Sequence, residues 1–226
     1  MLSGGGGFGK FHFGIIKALN EQDLMPRIIV GSSVGSAVAT LICITKYEDI
    51  DSLSLFETAM QKRMVGFKKG CESYSGLAQS IYAGDKWLCM KTLKEFVTHR
   101  TGNITFLEIY EEYGWVLNIN VTVKDLPSEQ KMLNYLTAPN VVVWSACLAS
   151  CSIPWAYDPQ ELFMKNEEGE IIPYNEGKLY VDGSVSCDLP MQRISELWNV
   201  NTFIVSQVNP HTVPFVWDTE DEDREH

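Results

Sequence analysis

The first candidate for chemistry in this sequence is a serine flanked by glycines. Residues 31–35, Gly-Ser-Ser-Val-Gly, match the pattern G-x-S-x-G, which in a nucleophile elbow holds a serine on a sharp turn between a strand and a helix. Glycines suit that corner because they lack the Cβ atoms that would clash there. A β-branched run precedes the motif and an apolar run follows it. We therefore predict that Ser33 is the nucleophile, with Gly31 and Gly35 beside it; the alternative is a plain turn.

A second glycine-rich segment lies near the N-terminus and consists of Gly4, Gly5, Gly6, Gly7 and Gly9. Its spacing fits most of a P-loop, but Phe11 stands where a Ser or Thr would bind magnesium. The spacing also fits a dinucleotide loop, which requires an acidic residue at the end of the next strand; that strand ends instead at Val30, beside the serine motif. Consecutive glycines at the start of a helix also expose several N–H groups to an oxyanion. Only this third interpretation gives the serine motif a role, so we predict that these glycines form an oxyanion hole.

Two kinds of base are available to activate Ser33. The order Ser33, Asp182, His211 matches the triad of an ordinary α/β-hydrolase. In that fold, however, several strands normally precede the serine, whereas here only one βα unit does. The alternative base is Asp182 alone, which follows a short apolar strand and precedes Gly183. A carboxylate in a dry site accepts a serine proton directly because burial raises its pKa, although Asp-Gly is also common as a simple turn.

The other histidines are weaker candidates for the base. His12 falls on the apolar face of a predicted helix, where we expect a packed and hydrogen-bonded side chain. His99 ends a predicted helix, a position that suits a cation because of the helix dipole. The six cysteines form no C-x-x-C pair, and Cys147 and Cys151 have no further Cys or His nearby. We therefore expect reduced thiols and no metal site.

The elements that must position these residues begin with a βαβα unit. Apolar residues recur at helical spacing after the glycine run, so a helix is predicted to about Asn20. A short β-branched strand follows at 27–30, and a mostly buried helix at 36–47. Strand, glycine loop, helix, strand, turn and helix in this order imply a parallel sheet covered by helices. The sequence therefore indicates an α/β fold.

The remaining pattern is less regular. Helices are predicted at 50–64, 86–99 and 145–153, the last halted by Pro154. Strands are predicted at 115–123, 140–144, 179–181 and 202–208. Residues 161–178 are polar and typical of a loop, and residues 182–184 are typical of a turn. We expect one domain over residues 1–215, followed by an acidic tail at 216–226.

The composition of the chain argues against some classes of protein. The 226 residues carry a net charge of −11, whereas general nucleic-acid binding requires a basic surface. No uninterrupted apolar run approaches the ~20 residues that cross a bilayer, and the N-terminus lacks the pattern of a secretion signal. We therefore expect an intracellular protein with no nucleic-acid partner.

Five segments in this order resemble the patatin-like phospholipase family, and most closely its plant and fungal triacylglycerol-lipase branch: LSGGGGFGKFHFG, GSSVGS, SACLASCSIPWAY, YVDGS and IVSQVNPH. The resemblance covers residues 2 to about 215. It implies a three-layer α/β/α domain with a mostly parallel central sheet, and a Ser–Asp dyad at Ser33 and Asp182. It also implies hydrolysis of acylglycerol or phospholipid esters at a lipid droplet or membrane surface, sometimes with acyl transfer to a lysophospholipid. No metal or organic cofactor is implied.

The sequence departs from the wider family at three places. Phe8 stands where an Arg or Lys usually precedes the last glycine of the loop, so oxyanion stabilisation would rest on backbone N–H groups alone. Ser184 replaces the usual Gly or Ala after Gly183. Both residues match the lipase branch. Relatives also carry a long region before the glycine loop, so this chain is expected to be either a minimal version or a fragment.

Residues 60–70 are the best sequence candidate for a lipid-docking surface. This stretch lacks acidic residues and combines basic with apolar side chains, namely Lys62, Arg63, Lys68 and Lys69 with Met64, Val65 and Phe67. The alternative is a solvated loop after a helix. Two other classes of function stay open, a catalytically impaired lipid-binding fragment and, more remotely, a nucleotide-binding module.

Overall fold

The computed structural model describes residues 1–46, 90–209 and 212. The helices in this part are α1 (Phe11–Glu21), α2 (Val34–Cys43), α3 (Met90–Thr101), α4 (Phe106–Tyr113), α5 (Val143–Ser150), α6 (Ser184–Cys187) and α7 (Met191–Trp198). The strands are β1 (Ile28–Gly31), β2 (Val116–Val123), β3 (Leu126–Leu133), β4 (Phe163–Lys165), β5 (Ile171–Pro173) and β6 (Tyr180–Asp182). A 3-10 turn, Gly6–Lys10, runs directly into α1. Among the described helices, none combines the length and the apolar character needed to cross a bilayer.

Strand β2 is the centre of the sheet. β1 runs parallel to it, with Ile29 opposite Leu117, and β3 runs antiparallel to it on the other side. β6 pairs antiparallel with the far end of β2, on the same side as β1. Leu2 forms parallel bridges to Gly31 and Ser206, which places the N-terminal residues beside β1. The chain therefore has the α/β fold that the sequence predicts. The expectation of a mostly parallel central sheet is wrong for the described strands, because two of their three pairings, those of β3 and β6 with β2, are antiparallel.

Helices cover both faces of this sheet. On one face α2 and α5 contact each other and the strands, and every residue of both helices is buried. Ile29 belongs to the main core on that face. Val30 instead packs with Met132 and with Ile194 of α7 in a separate apolar cluster. Because successive side chains of a strand point to opposite faces, the arrangement is the expected three-layer α/β/α sandwich.

The early elements match the sequence prediction, whereas two later strands do not. α1, β1, α2, β2 and β6 lie where they are expected. The strand predicted at 140–144 is reduced to β-bridges at Val141 and Val142. Val143 and Trp144 instead begin α5, where burial on all sides outweighs the β preference of the valines. The strand predicted at 202–208 is reduced to a bridge at Ser206, with Ile204 and Val205 exposed.

Other parts of the chain differ from the prediction or lie outside the described residues. The segment predicted as a loop at 161–178 contains the hairpin β4–β5. β3, α4 and α7 are present although the sequence pattern does not predict them. The helix predicted at 50–64, the beginning of the one at 86–99 and the basic stretch 60–70 fall outside the described residues.

Candidate active site

Ser33 lies on the sharp turn between β1 and α2. Its backbone has φ 50° and ψ −128°, a conformation that residues other than glycine rarely adopt. Gly35 permits the turn because a Cβ atom there would meet the carbonyl oxygen of Leu2. Gly31 is confined in the same way by the backbone of Gly35. Residues 31–35 therefore have the strained strand-to-helix geometry of a nucleophile elbow.

A buried hydroxyl connects this turn to the centre of the sheet. The backbone N–H of Ser33 donates to Ser150 Oγ at 3.0 Å. Ser150 Oγ in turn donates to the carbonyl oxygen of Asn120, in β2, at 2.8 Å. In the next peptide unit, Ser36 Oγ donates to the carbonyl oxygen of Ser33 at 2.6 Å. Hydrogen bonds thus hold both backbone polar groups of Ser33 in place.

The strand pairings bring Asp182 towards Ser33. β1 ends at Gly31 and β6 ends at Asp182, and both pair with the same side of β2 from opposite ends. The residues of β2 that face these two strand ends are separated only by Asn120. Two residues that are far apart in the chain are therefore placed at a single gap in the sheet.

The Asp182 carboxyl group is completely buried, and this burial raises its pKa from 3.8 to about 6. Hydrogen bonding with the side chain of Ser33 and with Ser184 lowers the pKa, and the charge of Asp188 raises it. Oδ1 accepts the Ser184 N–H at 2.8 Å. Among the described residues, Oδ2 has no partner of standard hydrogen-bond geometry. One carboxyl oxygen is therefore fixed by the backbone, and the other is available to accept a proton.

The glycine run forms a loop that lies against the serine. A Cβ atom added to Gly4 would be 3.2 Å from the Cβ atom of Ser33. Gly5 has φ 145°, and a Cβ atom there would be 2.6 Å from the carbonyl oxygen of Val208. The loop is therefore packed between the elbow and the C-terminal segment, and Gly5 has no room for a side chain.

The glycines of this loop differ in what their N–H groups can bind. The N–H of Gly4 donates to Asp188 Oδ1 at 2.8 Å, and Gly9 is buried against Val34. Within the described part of the chain, the N–H groups of residues 5–7 have no acceptor. They lie at the start of the 3-10 turn that leads into α1, where the helix dipole favours negative charge. Of the glycines expected to form the oxyanion hole, Gly5, Gly6 and Gly7 thus have N–H groups free to donate.

Asp188 joins three parts of the site and is not foreseen from the sequence. Besides the Gly4 N–H, its carboxylate accepts a hydrogen bond from Asn209 Nδ2 at 2.5 Å. Its carbonyl oxygen accepts the Ser32 hydroxyl at 2.7 Å. The glycine loop, the elbow and the C-terminal segment are therefore held around one residue. The only sequence signal for it is an acidic residue shortly after Asp182, and that signal is not specific.

Comparison with protein families shows the family to which the chain belongs. Residues 1–193 match the family model described as patatin-like phospholipase. The chain belongs to the patatin-like phospholipase family. The matched region contains the elbow, Asp182 and Asp188, and the resemblance found in the sequence motifs is confirmed.

Relatives of this patatin-like chain include triacylglycerol lipases of plants and fungi. Triacylglycerol lipase SDP1L of Arabidopsis thaliana is 38% identical over 96% of this chain and 28% of its own length. Triacylglycerol lipase 4 of Saccharomyces cerevisiae is 39% identical over 96% of this chain and 24% of its own length. Triacylglycerol lipase ptl2 of Schizosaccharomyces pombe is 36% identical over 95% of this chain and 33% of its own length. The chain thus spans about a quarter to a third of the length of these relatives.

Among solved structures, VipD from Legionella pneumophila matches with a TM-score of 0.46 and 15% sequence identity, over 84% of this chain and 46% of VipD.

The described histidines of this patatin-like chain are poorly suited to act as the base. His12 Nδ1 lies 2.7 Å from Ser206 Oγ, and its Nε2 lies 3.0 Å from the carbonyl oxygen of Ser3. Burial lowers the pKa of His12 to about 4, so this side chain is neutral, packed and hydrogen bonded, as the sequence predicts. His99 is exposed in the last turn of α3. His211, the base of the alternative triad, lies outside the described residues.

The cysteines near the elbow pack in the core. Cys147 and Cys151 are buried, and their sulfur atoms lie 3.7 Å and 3.9 Å from Ser36 Oγ. A hydrogen bond with Cys147, together with burial, raises the pKa of the Cys151 thiol, so the thiol stays protonated. In the described part of the chain, no group of three or more His, Cys, Asp or Glu side chains is arranged to hold a metal ion.

Proposed function

We propose that this chain is a serine acyl-hydrolase in which Ser33 is the nucleophile and Asp182 is the base. The observation that carries this proposal is the buried Asp182 carboxyl group, with a pKa of about 6, at the same gap in the sheet as a serine on a strained elbow. A carboxylate of ordinary pKa is a weak base towards a hydroxyl group. Burial makes Asp182 a stronger base and still leaves it mostly ionised at neutral pH.

The first half-reaction transfers the acyl group to the serine. Asp182 Oδ2 takes the proton of the Ser33 hydroxyl as Oγ bonds to the carbonyl carbon of the ester. The carbonyl oxygen becomes negatively charged and is stabilised by N–H groups of Gly5, Gly6 and Gly7, each of which is worth about 3 kcal/mol in a typical oxyanion hole. Asp182 then gives the proton to the alcohol oxygen as the carbon–oxygen bond breaks, so the alcohol leaves uncharged.

The second half-reaction releases the acid. Asp182 takes a proton from a water molecule, whose oxygen attacks the carbonyl carbon of the acyl-enzyme. The oxyanion of this second intermediate is stabilised by the same N–H groups. Asp182 then returns that proton to Ser33 Oγ as the acyl–oxygen bond breaks. One water is consumed and the free enzyme is regenerated without a metal or an organic cofactor.

We propose fatty-acyl esters of triacylglycerol or phospholipid as the substrates. The names of the relatives, triacylglycerol lipases, and of the family, patatin-like phospholipase, support this class of substrate. These esters are concentrated in lipid droplets and membranes, so we propose that the protein acts in the cell at the surface of one of them.

The test is hydrolysis of a soluble short-chain ester, together with labelling by a fluorophosphonate that reacts with activated serines. The wild-type chain is expected to hydrolyse the ester and to be labelled, and Ser33→Ala is expected to do neither. Asp182→Asn is expected to lose hydrolysis while circular dichroism shows an intact fold. A wild-type chain that is folded but neither labelled nor active would overturn the proposal and favour the alternative, a lipid-binding fragment without catalysis.

The matched control for the base is His211→Ala. It is expected to keep near-normal activity because the dyad contains no histidine. If Asp182→Asn stayed active and His211→Ala lost activity, the base would be the histidine of a triad.

A further inference from the structure

Trp155 combines exposure with backbone strain. In the described chain it is the most exposed large apolar side chain, with 94% of its surface accessible to solvent. Its φ is 71°, a left-handed conformation that is unfavourable for a bulky residue. Neither feature stabilises the fold in water. A strained residue whose side chain is almost fully exposed is a candidate for a role outside the fold.

The loop that carries Trp155 is hydrogen bonded at both of its ends to β6, the strand that contains Asp182. At its start, the Asp182 N–H donates to the carbonyl oxygen of Ser152 at 3.0 Å. At its end, Gln160 and Tyr180 exchange two backbone hydrogen bonds of 2.9 Å and 2.8 Å. Trp155 is therefore held at the edge of the candidate active site by a stem fixed to β6.

The tip of this loop is closed by its own hydrogen bonds. The N–H groups of Ala156 and Tyr157 both donate to the carbonyl oxygen of Ile153, at 3.2 Å and 3.0 Å. Ile153 is itself 36% exposed. The tip thus presents an isoleucine and a tryptophan from a short turn with defined hydrogen bonding.

The charges around the tip indicate which lipid surface it fits. Of residues 150–160, only Asp158 is charged, and the segment contains no Lys or Arg. The whole chain carries a net charge of −11, so an anionic bilayer would repel it. An indole ring prefers a lipid–water boundary, where its apolar body is buried and its N–H group stays hydrated.

We propose that Trp155, with Ile153 beside it, inserts into an uncharged lipid surface and docks the active-site edge of the protein there. This inference rests on the proposed acyl-hydrolase function, which supplies the reason for a lipid partner. It differs from docking through the basic stretch 60–70, because basic residues would favour an anionic surface.

The test compares binding of four purified proteins to two lipid surfaces. The proteins are the wild-type chain, Trp155→Ala, Trp155→Phe and Leu24→Ala, and the surfaces are phosphatidylcholine-coated triolein droplets and phosphatidylserine vesicles. Leu24 is the matched control because it is 61% exposed and precedes β1, at the opposite end of that strand from the elbow. Flotation gives the partition coefficient for each pair.

The wild-type chain is expected to bind the droplets in preference to the vesicles. Trp155→Ala is expected to weaken droplet binding at least tenfold, since removing about a third of an indole surface from water is worth roughly that factor. Trp155→Phe is expected to keep most of the binding, and Leu24→Ala all of it. Equal droplet binding by Trp155→Ala and the wild type would overturn the inference, as would preferential binding of the wild type to the anionic vesicles or no binding to droplets.

A second measurement separates this inference from the proposed function. The ratio of triolein hydrolysis to soluble-ester hydrolysis is expected to fall about tenfold in Trp155→Ala. If the wild type binds droplets through Trp155 but hydrolyses no soluble ester, the proposed function fails and the docking surface stands. If it hydrolyses the soluble ester and the ratio is the same in both proteins, the docking surface fails and the function stands.

Discussion

Asp182→Asn is expected to remove activity and, at neutral pH, to stabilise the fold. The Asp182 carboxyl group is completely buried and its pKa rises from 3.8 to about 6 because of that burial. A buried carboxylate costs free energy whenever it is ionised, whereas an amide of the same shape carries no charge to desolvate. Asn also keeps a carbonyl oxygen that can accept the Ser184 N–H.

The size of the effect follows from the pKa difference. A shift of about two pKa units means that the free energy of unfolding is about 3 kcal/mol lower when Asp182 is ionised than when it is protonated. This value is an upper limit, because the amide group is itself polar and buried. We therefore expect Asp182→Asn to raise the free energy of unfolding at neutral pH by about 1–3 kcal/mol.

The effect has a defined pH window. Because the folded-state pKa of Asp182 is raised, the stability associated with its proton is fully present below the unfolded pKa of 3.8 and is lost as the pH rises through about 6. The Asn variant has no such loss. Its advantage over the wild type should therefore develop between about pH 4 and pH 6 and stay constant above that range.

The assay is denaturant unfolding followed by circular dichroism at about pH 4 and about pH 7.5, on either side of the window. Asp125→Asn is the control, because Asp125 is exposed in the turn between β2 and β3 and its replacement should change stability little at either pH. The reasoning would be refuted if Asp182→Asn were less stable than the wild type at neutral pH, or if the two differed equally at both pH values.

Four further predictions concern the site and the helix α1 that follows the glycine loop. The value of kcat/KM for a soluble ester is expected to rise about tenfold between about pH 5 and pH 7, as a base of pKa about 6 ionises. Asp188→Asn removes a charge that raises the pKa of Asp182, so the rise should move to lower pH, and an unshifted profile would argue against Asp182 as the base. Ser150→Ala leaves two buried backbone groups without their partner and is expected to cost about 1–3 kcal/mol per group and to lower kcat; a denaturant midpoint equal to that of the wild type would contradict this. Gly35→Ala forces a Cβ atom against the backbone and should prevent folding, whereas Gly14→Ala, which meets nothing within 4 Å, should stabilise α1 by about 0.5–1 kcal/mol. Similar melting temperatures for the two glycine variants would show that the close approach of the Gly35 and Leu2 backbones does not limit the stability of the fold.

The parts of the site that the sequence predicts are those determined by neighbouring residues. The elbow at Ser33 requires glycines two positions before and two positions after the serine, so its geometry can be predicted from five consecutive residues. A glycine run before an apolar helical pattern is equally local. Ser150 and Asp188 could not be predicted, because their roles depend on where α5 ends and on which chain segment passes beside the glycine loop.

The same distinction, between local and long-range determinants, explains where the predicted elements differ from the observed ones. Val143 belongs to a β-branched run that favours a strand locally, but packing against β2 and α2 places it in a helix. At 202–208 the alternation of side chains is typical of a strand, yet in the described structure only Ser206 forms a β-bridge, and its partner is Leu2 near the N-terminus. Both outcomes depend on contacts between segments that are distant in the sequence.

The end-to-end arrangement of β1 and β6 on β2 also bears on how the protein is made. Ser33 leaves the ribosome roughly 150 residues before Asp182, and at about 5–20 residues per second this interval lasts about 7–30 s. In the proposed mechanism, the nascent chain carries a serine without its base throughout this interval. Ser33 would become reactive only when β6 pairs with β2, a non-local and therefore late event in folding. A cell that makes such a domain in this order would release its activity only after the chain has been built as far as the strand that completes the site.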